Sequence, residues 1–393
     1  MNAPDISFIM ICTIFVFFMT PGLAIFYGGL VRRRNMIEIM EQSFISIGVV
    51  SILWAIFGFS LAFGKDVHGI IGDASFFYMM GEGITPHASI ASNIPFVLFF
   101  VFQLAFAIIT PALISGAIVG RTCFKAYTVF IAAWLLFVYS PVVHWVWGGG
   151  YLEQKGVLDF AGGLVIHLTA GVSAIAAVIM IGPRKEIDNN PCSMGYVSIG
   201  AGILWAGWFA FNGGSALAAN TTAALAVANT LIASSSGMLG WLLLGRLLSE
   251  KMTLLDILFG GIAGLIIITP MAGYVDLWCS LPVGFFGGIV CSSAVRFRAA
   301  RGWDDTLDVW ALHGIGGASG VILTGVFANP VLAPAGGILY GNTSQLLIQI
   351  LGVLQVTVYS FVLTMVMLRV IALFTPLRLS ETDENLGLYS IQC

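Results

Sequence analysis

The sequence predicts an all-α polytopic membrane protein with eleven transmembrane helices. Of the 393 residues, 59% are hydrophobic and only 9% are charged. A soluble domain usually carries about 25% charged residues, so this chain could not cover its surface with polar groups in water. The apolar residues also fall into stretches of about 20 residues, the length that a helix needs to cross a bilayer.

The apolar stretches follow one another with short polar separators between them. They cover residues 6–31, 41–63, 94–119, 125–147, 159–182, 194–212, 221–245, 254–272, 274–295, 306–328 and 345–375. The first stretch lacks the basic segment of a signal peptide, and it is longer than the apolar segment of a signal peptide. We therefore interpret it as a transmembrane span that the mature protein retains. The net charge of −3 is scattered over short loops and does not indicate nucleic-acid binding.

Basic residues concentrate on one side of the predicted bundle. Of the 16 lysines and arginines, all but Lys65 and Lys155 follow spans 1, 3, 5, 7 and 9 or close span 11. The positive-inside rule then places the N-terminus outside and the C-terminus inside. Spans 1–5 and 6–10 enter the membrane from opposite sides, which predicts two inverted five-helix repeats plus a long eleventh helix. We assign residues 1–375 to the transmembrane domain and residues 376–393 to a short cytosolic tail.

Two histidines lie inside predicted spans, at corresponding places in the two repeats. His167 belongs to span 5 and His313 to span 10, and both fall near the bilayer midplane. Ionisable residues at that depth indicate a transport pathway, although a neutral imidazole can also simply tie two helices together. Repulsion and desolvation both favour a neutral pair, which offers one hydrogen-bond donor and one acceptor. Such a pair suits either a small molecule that both donates and accepts hydrogen bonds, or the relay of a proton from one ring to the other.

No metal or cofactor site is predicted. No third histidine, cysteine or carboxylate shares the depth of the two histidines, and none of the six cysteines forms a C-x-x-C pair. No nucleophile, base and orienting partner recur at a usable spacing, so we do not expect an enzyme.

The remaining polar residues of interest lie towards the outer ends of the spans. Asp159 opens span 5, where it can cap the helix and can also attract a cation. His144 lies beside tryptophans near the outer end of span 4, which is typical of an interfacial aromatic belt. His68 and His87 fall in outer loops, where we expect them to be solvated.

Several aromatic residues share this outer depth. Aromatic faces attract cations, and a hydroxyl can accept a hydrogen bond from an N–H cation. Any one of these side chains is more often a packing residue than a ligand, but their common depth near a carboxylate favours a cation site. The candidates are Trp147, Phe102, Phe106, Trp208, Phe211 and Ser215.

Specific strings of residues along the whole chain resemble the Amt/Mep/Rh ammonium transporter family, on the Amt side. They are PGLAIFYGGLVRRRN, WAIFGFSLAFG, HWVWGGGYL, GVLDFAGGLVIH, WAGWFAFNGGSALAAN, AALAVANT, ITPMAGYV and DVWALHG. The resemblance implies an eleven-helix homotrimer with one pore per subunit, embedded in the lipids of the cytoplasmic membrane. It also implies ammonium and ammonia as the transported species.

The resemblance assigns roles to the matching positions of this chain. An outer ammonium recruitment site would consist of Trp147, Phe106 and Ser215, supported by the buried carboxylate of Asp159. Phe106 and Phe211 would form a stacked phenyl gate. His167 and His313 would be the twin pore histidines, with Tyr27, Phe102 and Trp208 along the path.

The chemistry of the ion agrees with these roles. A bare ammonium ion in hydrocarbon costs far more than a cation–π contact returns. We therefore expect the ion to be held at the aromatic mouth and deprotonated, so that neutral ammonia passes the histidines, with or without a relayed proton.

The sequence departs from the family pattern in three places. Val119–Arg121 lacks the glutamate of the usual A-E-R string, and Pro111 is expected to interrupt span 3. In the tail, Tyr389 replaces the usual aspartate and the chain stops at Cys393, which puts binding of a PII-type regulator in doubt. The alternative function is an ammonium sensor, truncated before a fused cytosolic signalling domain such as a histidine kinase.

Overall fold

The structure is a computed structural model that describes residues 2–79, 83–85, 87, 90–188 and 190–387. Tyr389 and Cys393, on which the tail expectations rest, lie outside the described residues. Within the described part of the chain, eleven helices are long and apolar enough to cross a membrane, which confirms the predicted number. Spans 1 to 11 are Ala3–Leu30, Arg33–Phe63, Phe96–Ile118, Phe124–Gln154, Gly163–Ile181, Met194–Gly214, Thr221–Leu247, Leu254–Met271, Leu277–Ala300, Trp310–Phe327 and Thr343–Ile371.

Two predicted span starts and the predicted course of span 3 need correction. Span 2 begins eight residues earlier, because a 3-10 turn at Arg33–Asn35 leads directly into its helix. Span 5 begins at Gly163 rather than at Asp159. The expected interruption of span 3 is wrong, since its helix continues through Pro111 from Phe96 to Ile118. Proline removes one backbone hydrogen bond there, which membrane helices tolerate when neighbouring groups compensate.

Short elements connect the spans. We call outer the side that the positive-inside rule predicts to face out, and inner the opposite side. On the outer side, strands Asp66–Val67 and Ile71–Gly72 form an antiparallel hairpin, and a one-turn helix covers Tyr151–Gln154. Further 3-10 turns lie at Phe77–Met79, Thr269–Met271, Leu277–Cys279 and Ile338–Tyr340. On the inner side, a helix at Glu381–Leu386 follows span 11.

Small residues set the packing at the centre of the bundle. Span 1 packs along span 6, its counterpart in the other repeat, and Gly200 of span 6 lies against the Phe26 backbone of span 1. Spans 5 and 10 cross closely where Gly171 meets the backbone of Gly314, and a Cβ at Gly171 would collide there. Small residues at such crossings let helix backbones approach in a membrane protein. The two histidine-bearing spans are thus neighbours.

Four helical segments in the described residues widen to π-helix. They are Trp54–Gly58 in span 2, Leu135–Tyr139 in span 4, Gly163–Leu168 in span 5 and Trp310–Ile315 in span 10. Such segments are rare and often mark functional sites. The last two carry His167 and His313, so both histidines project from the same unusual backbone geometry.

Candidate functional site

Asp159 caps the helix that carries His167. Its Oδ1 accepts the backbone N–H groups of Gly162 and Gly163 at 2.9 and 2.7 Å. Its Oδ2 accepts those of Leu164 and Val165 at 2.7 and 3.2 Å. The first N–H groups of a helix have no partner within it, so one buried carboxylate satisfies the whole helix start. Because all four bonds occupy its oxygens, Asp159 acts on the site through the backbone.

Asp305 holds the start of span 10 in the same way, and the sequence analysis missed it. Its carboxylate accepts the N–H groups of Val309 at 3.1 Å and of Trp310 at 2.7 Å. Asp305 precedes His313 by eight residues, the interval that separates Asp159 from His167. That repeated spacing was a signal in the sequence, and it supports the inverted-repeat relation of the two halves.

The two pore histidines meet at the crossing of spans 5 and 10. Their Nδ1 atoms lie 3.1 Å apart and the ring centroids 5.2 Å apart. A hydrogen bond at this distance needs one proton between the two nitrogens, because two Nδ1–H groups would face each other. The pair thus has the donor and acceptor character that the sequence predicted. A Cβ at Gly317 would collide with His167, so glycine is needed beside the pair.

Aromatic rings fix the orientation of His167. The Trp208 ring stacks on the imidazole with centroids 5.4 Å apart and an interplanar angle of 21°. The Phe211 ring is nearly parallel to the imidazole at 6.1 Å and 15°. The Trp208 indole Nε1 donates to Thr269 Oγ1 at 2.9 Å, which holds that ring in place. His167 therefore has little freedom to rotate away from His313.

Both histidines line one narrow, mostly apolar cavity inside the bundle. His167 Nε2 is buried and has no hydrogen-bond partner among the described residues. Tyr27, whose hydroxyl donates to the Leu113 carbonyl at 3.3 Å, also lines the cavity, as Trp208 and Phe211 do. The remaining lining is apolar: Met19, Leu23, Phe26, Ile109, Leu113, Ile166, Leu204, Ile262, Leu307 and Leu312.

Two phenyl rings meet at one end of this cavity. The rings of Phe106 and Phe211 have centroids 4.5 Å apart and are inclined at 61°, so they pack edge to face. The expected stacked arrangement of these rings is wrong in its angle, although the contact itself is present. Phe102 packs edge to face on Phe106 at 4.8 Å. Phe211 belongs to the cavity lining, whereas Phe102 and Phe106 do not. Phe102 therefore lies behind the phenyl pair.

The other two recruitment candidates are partly exposed at the outer side. Ser215 Oγ donates to the Phe211 carbonyl at 2.8 Å, which leaves its lone pairs free to accept from a cation. The Trp147 indole Nε1 donates to the Asp159 carbonyl at 2.8 Å. Among the described residues, Trp147 makes no ring contact with Phe106 or Phe211. The candidates are therefore linked through Asp159 and Phe211 rather than by mutual contact.

At the inner end, a buried arginine holds the loop that leads into span 10. Arg121 is fully buried and donates to the carbonyls of Gly182 at 2.7 Å and Asp304 at 2.6 Å, and to Thr306 Oγ1 at 3.0 Å. Burial lowers the pKa of Arg121 to about 10, so the guanidinium stays charged. Burial alone would raise the pKa of Asp304, but hydrogen bonds from Arg184 and the charge of Arg121 bring it below its usual value.

Comparison with known proteins identifies the family. A model of the Ammonium Transporter Family matches residues 7–392. The chain belongs to this family. It is 45% identical over 396 residues to a putative ammonium transporter of Methanothermobacter thermautotrophicus and 42% identical over 392 residues to an ammonium transporter of Bacillus subtilis. Each match covers 99% of this chain and 96% of the relative.

Solved structures show the same fold. The crystal structure of Saccharomyces cerevisiae Mep2 superposes with a TM-score of 0.90 at 31% identity, over 97% of this chain and 88% of Mep2. A structure described as a sensor Amt protein superposes with a TM-score of 0.91 at 27% identity, over 99% and 98% of the two chains. The predicted family and fold class are confirmed. The relatives from Methanothermobacter thermautotrophicus and Bacillus subtilis are named as transporters and not as enzymes.

Two histidine expectations were wrong. His144 is fully buried and hydrogen-bonded through both ring nitrogens, so it does not belong to an interfacial belt. His87 is half-buried between the rings of Phe76 and Phe96 rather than solvated. His68 is exposed, as predicted. The pattern of neighbouring tryptophans did not reveal the role of His144, because its partners come from span 2 and the outer hairpin.

Proposed function

We propose that this chain transports ammonium across the cytoplasmic membrane. In this proposal NH4+ is held at the outer aromatic site and gives up its proton there. Neutral NH3 then passes His167 and His313, with or without a relayed proton. The observation that carries the proposal is the histidine pair, whose Nδ1 atoms lie 3.1 Å apart in a mostly apolar cavity that Phe211 also lines.

The recruitment step uses groups at the outer end of the path. Trp147 is partly exposed, so its ring face can receive a cation, and a cation–π contact contributes about 0.5–2 kcal/mol. Ser215 adds a free acceptor, and Phe106 adds a second ring face. Asp159 supports this site because its carboxylate accepts four backbone N–H groups and its backbone carbonyl accepts the Trp147 indole N–H.

The phenyl pair favours passage of the neutral species. Phe106 and Phe211 are each about 1% exposed and touch edge to face, so a hydrated ion would have to shed its water to pass between them. Desolvating an ion is far more costly than desolvating ammonia. Transport therefore has a lower energy barrier if the ion loses its proton before it reaches the phenyl pair than if the intact ion passes between the rings.

The cavity chemistry suits ammonia itself. Ammonia can donate to a bare imidazole nitrogen and accept from an N–H group, and the pair offers both. His167 Nε2, which has no partner in the part of the chain that the structure describes, is available for such a bond. If the proton follows, it can pass along the Nδ1–Nδ1 bond while ammonia passes the rings.

Assembly and partners extend the proposal. We place the transport path in residues 1–375 of each subunit of a homotrimer. Exposed apolar side chains such as Phe18, Leu239 and Leu351 would then face either lipids or neighbouring subunits. A PII-type regulator at the inner face remains a candidate partner, and no nucleic acid is expected. The sensor function is the less favoured alternative, since curated relatives at 42–45% identity are named as transporters.

A flux and current assay tests the proposal. An ammonium pulse is applied to proteoliposomes that contain a pH dye and are adsorbed on a solid-supported membrane. If NH3 crosses alone, wild type should give faster internal alkalinisation than empty liposomes and no current. If a relayed proton follows, wild type should give a transient current and little alkalinisation. His167→Ala should reduce whichever signal wild type gives, whereas His68→Ala, at an exposed histidine, should not.

A specific negative result would contradict transport. If wild type gives neither signal while calorimetry detects tight ammonium binding, the chain binds without conducting, and the sensor function takes its place.

A further inference from the structure

His144 is a buried histidine outside the pore that is hydrogen-bonded on both ring nitrogens. Nδ1 lies 3.0 Å from the Ala62 carbonyl at the end of span 2. Nε2 lies 2.8 Å from Asp66 Oδ1 on the outer hairpin. The imidazole is fully buried, while the Asp66 side chain is 32% exposed. The ring thus joins span 4, span 2 and the hairpin.

The partners of His144 determine its protonation state. A backbone carbonyl can only accept, so Nδ1 must carry a proton. An ionised carboxylate can also only accept, so Nε2 must carry a proton as well. Both conditions together require the imidazolium ion.

Asp66 itself is ionised. Its Oδ1 and Oδ2 accept the Gly69 N–H at 2.8 and 3.0 Å, and a carboxylate is the form that both bonds favour. The hydrogen bond from His144 lowers the pKa of Asp66, which supports the same assignment. The buried positive ring therefore has a negative partner beside it, as buried charges require.

The backbone of His144 fixes the corner that follows Trp147. The His144 carbonyl accepts the N–H groups of Gly148 at 3.0 Å and Gly150 at 2.9 Å, which ends the helix directly after Trp147. Gly148 packs so closely on the Ala62 carbonyl and the His144 ring that a Cβ would collide with both. The His144 side chain thus ties the corner after Trp147 to span 2 and the hairpin, and the His144 carbonyl holds the backbone of the corner itself.

From this geometry we infer that His144 is a positioning residue of the outer recruitment site, held as an imidazolium ion that pairs with Asp66 and fixes the corner carrying Trp147. The inference rests on the proposed role of Trp147 in ammonium recruitment. Asp66 contributes the facing charge from the hairpin, span 2 contributes only the Ala62 carbonyl, and span 4 contributes Gly148. His144 touches no substrate and acts through Trp147.

A spectroscopic measurement tests the charge directly. Wild-type protein in lipid is labelled with 15N-histidine, and the His144 and His68 signals are assigned by comparison with His144→Gln and His68→Gln. His144 should show protons on both nitrogens, because both of its partners can only accept, and exposed His68 serves as the reference signal in the same sample. A bare nitrogen on His144 would overturn the assignment of the imidazolium.

Transport kinetics test the positioning role. Gln cannot donate to both acceptors from the His144 position, so His144→Gln should raise the KM for ammonium roughly tenfold, the order of one charge-assisted hydrogen bond, with the maximal flux unchanged. Asp66→Asn removes the negative charge and replaces the charge-assisted hydrogen bond with a neutral one. Its KM should therefore rise in the same direction as that of His144→Gln, but by less.

The outcomes separate the two proposals. An unchanged KM in the folded His144→Gln trimer would contradict the positioning role. If that variant does not fold, the KM of Asp66→Asn, at the exposed hairpin, tests the same role. Trp147→Leu tests the recruitment site by itself. An unchanged KM in Trp147→Leu would remove the recruitment proposal, while the 15N result on His144 would stand independently.

Discussion

The two aspartate caps at the starts of spans 5 and 10 allow a quantitative comparison within one molecule. The perturbation is the same isosteric change at each cap, Asp159→Asn and Asp305→Asn. An amide keeps one carbonyl oxygen as an acceptor but turns an NH2 group towards the remaining backbone N–H groups. The variants therefore differ in how many backbone donors lose their partner.

The hydrogen bonds give the expected magnitudes. At Asp159, one oxygen serves two N–H groups and the other serves two more, so the amide leaves two buried donors unsatisfied. At Asp305, each oxygen serves one N–H group, so only one donor is left. Each unsatisfied buried donor costs about 1–3 kcal/mol, which gives about 2–6 kcal/mol for Asp159→Asn and about 1–3 kcal/mol for Asp305→Asn.

Losing the charge at a helix N-terminus adds about 0.3–1 kcal/mol to both variants and does not change their order. The arginines near Asp305 keep their own partners, because Arg298 pairs with Asp308 and Arg121 with Asp304.

The assay is thermal unfolding of both purified variants and wild type, in one detergent and at one scan rate. We expect the loss of stability in Asp305→Asn to be about half of that in Asp159→Asn. Amide hydrogen exchange in Asp159→Asn should accelerate most at one of the two donor pairs, Gly162 with Gly163 or Leu164 with Val165, whichever faces the new NH2. If Asp305→Asn destabilises as much as Asp159→Asn, counting unsatisfied donors does not explain the caps.

Two further predictions concern the pH dependence and the helix crossing. Burial raises the pKa of Asp308 from 3.8 to about 7 despite its pairing with Arg298. Between these two pKa values the folded protein binds a proton that the unfolded chain has released. This group should therefore reduce stability by about 3 kcal/mol as pH rises from 4 to 7, and Asp308→Asn should flatten the unfolding profile over that range. Gly171→Ala should push span 5 away from Gly314 and separate the histidine pair, so the ammonium flux should fall. Gly202→Ala, at an open position, should keep the wild-type flux. Equal flux in the two variants would contradict the close crossing of spans 5 and 10.

Much of the fold could be predicted because the membrane imposes a simple rule. Each span must satisfy its own backbone, so apolar stretches of sufficient length become helices almost regardless of detail. The positions of His167 and His313 could be predicted to converge, because ionisable groups at the midplane need a partner and the inverted repeat puts them at equivalent depths. The cap at Asp159 could be predicted from its place before an apolar run.

Other contacts could not be predicted from local sequence, because they depend on partners far along the chain. Arg121 gave no signal beyond a departure from the family string, yet it binds groups up to 185 residues away. The edge-to-face angle of Phe106 and Phe211 depends on the packing of spans 3 and 6. His144 was assigned to the wrong class, since nothing near it in sequence shows that Ala62 and Asp66 accept its two protons.

The histidine pair and the two caps together restrict where positive charge can reside. Each helix N-terminus carries a partial positive charge that the capping carboxylate offsets, so the centre of the cavity gains no favourable field for a second proton. Among the described residues, the oxygens of Asp159 and Asp305 bond to backbone N–H groups and neither carboxylate is hydrogen-bonded to an imidazole of the pair. The neutral pair holds one proton in its Nδ1–Nδ1 bond, so an ammonium ion that arrived intact would place an uncompensated positive charge in a mostly apolar cavity. The lower-energy course is for the ion to lose its proton on the outer side of Phe106 and Phe211, where Trp147 and Ser215 are accessible to water.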